Sequence, residues 1–209
     1  MYQKRECNID FDLSFGGFEG TQNCEFTING DKHKYWFSFA MGDLFGHFLD
    51  IVYRLYIEAN DPYTDHSIKY ETNDPDNPHH ITDIIGQTMW DSEGGNLEWT
   101  LSRALYNNDA KTIKITLDYE FGERVYNYEV SLDDLLYATA KALTKLLKQS
   151  GICGYHYSSE HDYINMVNFL IVKYLALTGE MPDMKEQNTG MGVVFTSMEE
   201  EISLLLFDM

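Results

Sequence analysis

The sequence predicts an α+β fold: an antiparallel sheet of about six strands in a meander, with three helices packed mainly on one face. Three observations predict it. Several short runs alternate apolar and polar residues, as in Leu97, Trp99 and Leu101 against Glu98, Thr100 and Ser102, or Ile113, Ile115, Leu117 and Tyr119 against Lys114, Thr116 and Asp118. Period-2 alternation marks strands with one buried and one wet face. The links Tyr106-Asn107-Asn108-Asp109 and Phe121-Gly122-Glu123 are turn chemistry, which makes the flanking strands antiparallel neighbours. The order of strands and helices also lacks the βαβ rhythm of a parallel sheet, whose strands would read as continuous apolar runs.

From the N-terminus, Ile9, Phe11, Leu13 and Phe15 alternate with Asp10, Asp12 and Ser14 in a first strand, ended by Gly16-Gly17. Cys24, Phe26 and Ile28 form a second, and Tyr35, Phe37 and Phe39 a third. Asn29-Gly30 is a two-residue link of the type I′ kind, where both residues take positive φ. Between Gly42 and Ala59 the spacing becomes helical, with Leu44, Phe45, Phe48, Val52, Leu55 and Tyr56 on one stripe, Asp43 as N-cap and Asn60-Asp61-Pro62 as the stop. Residues 61–80 are irregular, with a short strand expected at Ser67–Glu71 and a surface loop from Asn73 to His80. Another strand is expected over Ile84–Trp90, and Tyr126, Tyr128 and Val130 close the meander.

At Ser131 the period switches from 2 to 3.6. Ser131 and Asp134 resemble a short capping box, and Leu132, Leu135, Leu136, Thr139, Leu143, Leu146 and Leu147 make a buried stripe that Gly151 should end. A third helix is expected from about Ser159 to Leu177. It is apolar nearly all round and is therefore expected to be the most buried. Residues 1–180 thus read as a single α+β domain, and 181–209 as an acidic C-terminal tail that packs on it as a short strand or extension. At 209 residues the chain can bury roughly 70% of its unfolded surface, enough for one self-sufficient core.

Charge is the strongest compositional fact. The net charge is −19, and the segments 58–98 and 180–209 contribute −9 and −6 of it. Such a field repels nucleic acid and anionic membranes and attracts basic proteins; it also serves simple solubility. The three cysteines, Cys7, Cys24 and Cys153, are odd in number and widely spaced, unlike a secreted disulfide framework. The N-terminus has no apolar stretch of the signal-peptide kind, and no run approaches the length of a membrane span, so a cytoplasmic location is expected.

The motifs of phosphate loops, dinucleotide-binding turns, nucleophile elbows and zinc proteases are all absent from the sequence. Cys153, His156, His161 and Asp162 form the best chemical cluster, but their spacing matches no standard zinc set and reads more simply as a polar helix connection. Asp74, Asp76, His79 and His80 read as a solvated loop, since Pro75 and Pro78 stand where carbonyls would have to wrap a cation. No cofactor and no metal site are expected. Trp36, Trp90 and Trp99 are most simply core or sheet-face aromatics, and an exposed one would mark a binding patch.

The run Asp91-Ser92-Glu93-Gly94-Gly95, then Leu97-x-Trp99-x-Leu101, Ile113-x-Ile115-x-Leu117 and Val130-Ser131-Leu132-Asp133-Asp134-Leu135-Leu136, is similar in style to immunity proteins of bacterial polymorphic toxin systems. The resemblance covers residues 80–150. It implies a non-enzymatic protein that binds a cognate toxin and blocks it, with acidic surface against a basic partner. The expected steering surface is Glu58, Asp61, Asp65, Asp74, Asp76, Asp91 and Glu93. The alternatives are a nucleic-acid mimic that occupies a DNA-binding enzyme, and an enzyme using Cys153, His156 and His161. Nothing in the sequence determines an oligomeric state.

Overall fold

In the computed structural model, which describes residues 5–15, 21–38, 44–60, 83–91, 95–104, 112–120, 122–158, 164–180 and 197–209, the strands divide into two antiparallel sheets. β1 (Ile9–Phe15), β2 (Thr21–Ile28) and β3 (Asp31–Ser38) pair in that order. β4 (Asp83–Asp91), β5 (Asn96–Ala104), β6 (Thr112–Tyr119) and β7 (Arg124–Ser131) form the second sheet, again in sequence order. The α+β class and the antiparallel meander therefore stand, while the single sheet of about six strands does not.

The reason is what lies between β3 and β4. Helix α1 (Leu44–Asn60) separates β3 from β4 along the chain and packs against β4. The contact is close: a Cβ at Gly86 would overlap Cγ2 of Ile51. Helix α2 (Leu132–Ser158) packs against β1. Each sheet thus packs against a helix at one of its outer strands. Helices α1 and α2 also contact one another.

The two sheets meet through side chains. The inward residues Ile9, Phe11, Leu13, Cys24, Phe26 and Ile28 of the first are buried, as are Trp90, Leu97, Trp99, Leu101, Ile113, Ile115 and Leu117 of the second. Phe11, Phe26, Trp90 and Trp99 interlock with Phe45 and Phe48 of α1, at centroid separations of 4.9 Å for Trp90–Trp99, 5.0 Å for Phe26–Trp99 and 5.4 Å for Phe11–Phe48. Tilted and edge-to-face pairs at these distances add specific attraction to their area burial. The β2–β3 hairpin turns at Asn29 (φ 50°) and Gly30 (φ 94°), the type I′ geometry that the Asn-Gly pair predicts. Cys24 is buried and Cys7 is partly buried against the core, both as free thiols.

Leu135, Leu143 and Leu146 of α2 are fully buried, as their spacing predicts. Ser131 accepts a hydrogen bond from the Asp134 amide at 3.0 Å, but the Asp134 carboxylate takes Arg5 and the Asn8 amide in place of closing a capping box. Gly151 does leave helical geometry (φ 69°, ψ 163°), yet a helical segment resumes beyond it to Ser158, so the expected stop is a kink.

Helix α3 (Met166–Thr178) starts later than expected because Asn165 caps it, its side chain accepting from the Asn168 amide. Gly179, in the left-handed conformation, ends it. Among the described residues α3 is not the most buried helix. Phe169, Val172, Lys173, Leu175 and Ala176 are buried, whereas Val167 is 66% exposed; α2 carries the longer buried face. Near the C-terminus, α4 (Met198–Leu206) is a helix with a complete capping box between Ser197 and Glu200. The expected N-cap Asp43 and strand Ser67–Glu71 lie outside the described residues.

Candidate functional site

Eight of the fifteen Lys and Arg of this acidic chain are engaged by its own fold. Lys141 and Lys145, one turn apart on α2, reach the outward carboxylates of β1: Lys141 to Asp10 at 2.7 Å and Lys145 to Asp12 at 2.5 Å. Lys148, a turn further, pairs with Asp208 at 3.3 Å. These six side chains line a groove of about 420 Å³ between β1, α2 and the C-terminal residues. Lys34 holds Glu25 at 2.7 Å, Arg124 reaches Glu120 at 3.4 Å, and Arg5 holds Asp134. Arg103 and Lys173 point inward, to the carbonyl of Leu55 and to those of Leu205 and Phe207. Exposed ion pairs contribute little stability each. Their larger consequence is that these cations are cancelled locally, in a chain that carries 34 acids against 15 Lys and Arg.

Of the expected steering residues, Glu58 falls in the last turn of α1 and Asp91 at the end of β4, where it pairs in register with Asn96. The side chains of these two, and all of Asp61, Asp65, Asp74, Asp76 and Glu93, lie outside the described residues. Cys153 is exposed on α2 beyond the kink. His156 follows on the same helical segment, and its side chain and His161 lie outside the described residues. Among the described residues, no group of three or more His, Cys, Asp or Glu is placed to hold a metal ion, and no helix is long and apolar enough to cross a membrane.

A polar chain that the sequence did not reveal joins the two sheets. His33 of β3 contacts the Tyr119 hydroxyl through Nδ1 at 3.0 Å and the Tyr128 hydroxyl through Nε2 at 2.8 Å. Tyr128 donates its single hydroxyl proton to Asp31 at 3.2 Å. Its oxygen must then accept from Nε2–H, which leaves Nδ1 to accept from Tyr119. Burial lowers the His33 pKa against the opposing pull of Asp31, which favours the neutral ring that this direction of donation requires. Burial likewise raises Tyr119 and pushes Tyr128 up to about 12, with Asp31 reinforcing the latter. Arg124 lies over the Tyr119 ring at 5.1 Å, and Tyr126 meets His33 edge-on at 5.1 Å. The signal was available only as alternation: His33 and Tyr35 share the inward face of β3, but the partners of His33 lie 86 and 95 residues away.

Large apolar side chains remain on the surface. Trp36, on the wet face of β3, is 45% exposed, whereas Trp90 and Trp99 are buried. On α4, Met198, Ile202 and Leu206 are 70%, 48% and 64% exposed. Compared with family models, curated proteins and solved structures, the chain has no match.

Proposed function

We propose that this protein is a non-enzymatic acidic binding protein, of immunity or inhibitor type, that captures a basic protein partner such as a toxin. The observation that carries the reading is the pairing of six cations within the fold, with Asp10, Asp12, Glu25, Glu120, Asp134 and Asp208, in a chain whose acids outnumber its Lys and Arg by 34 to 15. Such an acidic excess accelerates encounter with an oppositely charged partner, and exposed aromatics such as Trp36 anchor the contact once it forms. The steering set of Glu58, Asp61, Asp65, Asp74, Asp76, Asp91 and Glu93 belongs to the segment with the densest negative charge. The resemblance of residues 80–150 to immunity proteins points the same way.

The test is co-expression with the product of the neighbouring gene, followed by association kinetics. The expected result is a complex whose association rate falls at least tenfold when Asp61, Asp65, Asp74 and Asp76 are changed to Asn, and falls steeply with salt. If neither that product nor any basic protein of the native host binds at low salt, the reading is wrong.

A further inference from the structure

We infer that α4 is a docking ridge for a basic amphipathic helix of the partner, an inference that rests on the reading above and gives it a place on the molecule. Met198, Ile202 and Leu206 recur at i, i+4 and i+8, a straight i±4 row about 12 Å long. All three face solvent, while Leu204 on the other side is buried. An i±4 row is the ridge that fits the groove of a second helix in the commonest helix–helix geometry. Contiguous exposed apolar side chains on an otherwise charged surface mark interaction sites.

The ridge is held in place from behind. The capping box of Ser197 and Glu200 secures the start of α4, and Lys173 donates to the carbonyls of Leu205 and Phe207 at its end, at 3.1 and 2.7 Å. Leu205 and Met209 pack against the core. The helix is thus pre-ordered, which lowers the entropic cost of docking.

Charge selects the occupant. Glu199 flanks the row on the helix surface, Glu200 and Glu201 share its first turn, and Asp208 follows its end. Two copies of a chain carrying −19 would set like-charged rims against each other, so this face disfavours self-association. It suits a helix with an apolar stripe bordered by Lys or Arg.

The test uses two fluorescent peptides of equal positive charge against the full-length protein: a Leu/Lys amphipathic helix of eighteen residues and its scrambled version. Both are titrated onto the wild type and onto the variant Ile202→Ser/Leu206→Ser. The expected result is that the amphipathic peptide binds the wild type at least tenfold more tightly than the scrambled one, and that the variant loses this preference. Equal binding of both peptides to wild type and variant would overturn the ridge while leaving the acidic-binder reading intact; no binding of either would count against that reading itself. Concentration-dependent dimerisation of the wild type that the variant abolishes would assign the ridge to a second copy and overturn the inference. So would stripe-dependent binding to phosphatidylcholine vesicles without peptide preference. A fall in melting temperature of several degrees in the variant, with peptide affinity unchanged, would mean that the chain itself covers the ridge.

Discussion

Lys173 brings a charge to a fully buried position on α3, with the carbonyls at the end of α4 as its hydrogen-bond acceptors. Cations suit helix C-termini, where the dipole is negative and the last carbonyls lack intrahelical donors. Burial is the dominant effect on its ionisation, with Lys148 adding to it and Asp208 opposing, and the pKa falls to about 8. In the unfolded chain it returns to the ordinary value of 10.5. Between those two values the unfolded state binds more protons than the folded state, so stability rises with pH across that window and the charge-burial cost is relieved. The contribution is at most about 3 kcal/mol. Denaturation of the wild type and of Lys173→Met from pH 7.5 to 10.5 should show the difference between them growing in favour of the wild type. A constant difference would show that Lys173 titrates normally. Hydrogen exchange in α4 should be faster in the variant, because the helix end loses both donors.

At the scale of elements, the decisive contacts are those of helices lying along strands. Gly86 allows α1 to approach β4 so closely that no β-carbon fits, since it would meet the Ile51 side chain. Gly86→Ala should therefore cost about 1–3 kcal/mol by overpacking. Ile51→Ala should cost about 2–5 kcal/mol as a buried truncation. In the double variant the new methyl group occupies space that Ile51 vacates, and the two effects should fall short of their sum by about 1–2 kcal/mol. Urea denaturation of the four proteins measures this coupling, and strict additivity would mean that α1 moves away from the strand when the alanine is introduced. The ladder of Lys141, Lys145 and Lys148 orients α2 on β1, but the exposure of its members keeps each pair's contribution small.

At the scale of the whole molecule, two sheets that share no backbone ladder among the described residues are joined by an aromatic core and by the chain Tyr119–His33–Tyr128–Asp31. Protonation of His33 makes both ring nitrogens donors, so Tyr119 can no longer donate to Nδ1. The folded pKa is lowered from 6.5 by burial. The unfolded state therefore takes up the proton first as pH falls below 6.5, and stability is lost from there downward. The groups facing His33 are Asp31, Tyr119, Tyr126 and Tyr128, with Arg124 over Tyr119; Tyr119 and Tyr128, both raised, stay neutral throughout this range. His33→Gln can still donate on one side and accept on the other but does not titrate. Melting curves from pH 7.5 to 5.5 should show the wild type losing stability faster than His33→Gln, by up to about 1.4 kcal/mol per pH unit within the window. Parallel curves would remove His33 as the cause.

Residue order alone determined the strands, the Asn29-Gly30 turn, the faces of α1 and α2 and the acidic excess, because each is a local or compositional property. Alternation tells which face of a strand is buried, but not which strand edges pair. That depends on how the chain packs between β3 and β4, where α1 intervenes and closes on Gly86. The same limit applied to the candidate sites. Lys173 reads as a surface lysine until the end of α4 is brought against it, and His33 reads as an ordinary strand residue until β6 and β7 arrive. Met198, Ile202 and Leu206 look like residues for a core. Their exposure follows from which side of α4 docks, which Leu204, Leu205 and Lys173 settle through contacts far apart in the chain. Sequence order could place charge and local geometry because both act over a few residues. The partition into two sheets, the seam between them and the outward ridge required the long-range packing of the folded chain.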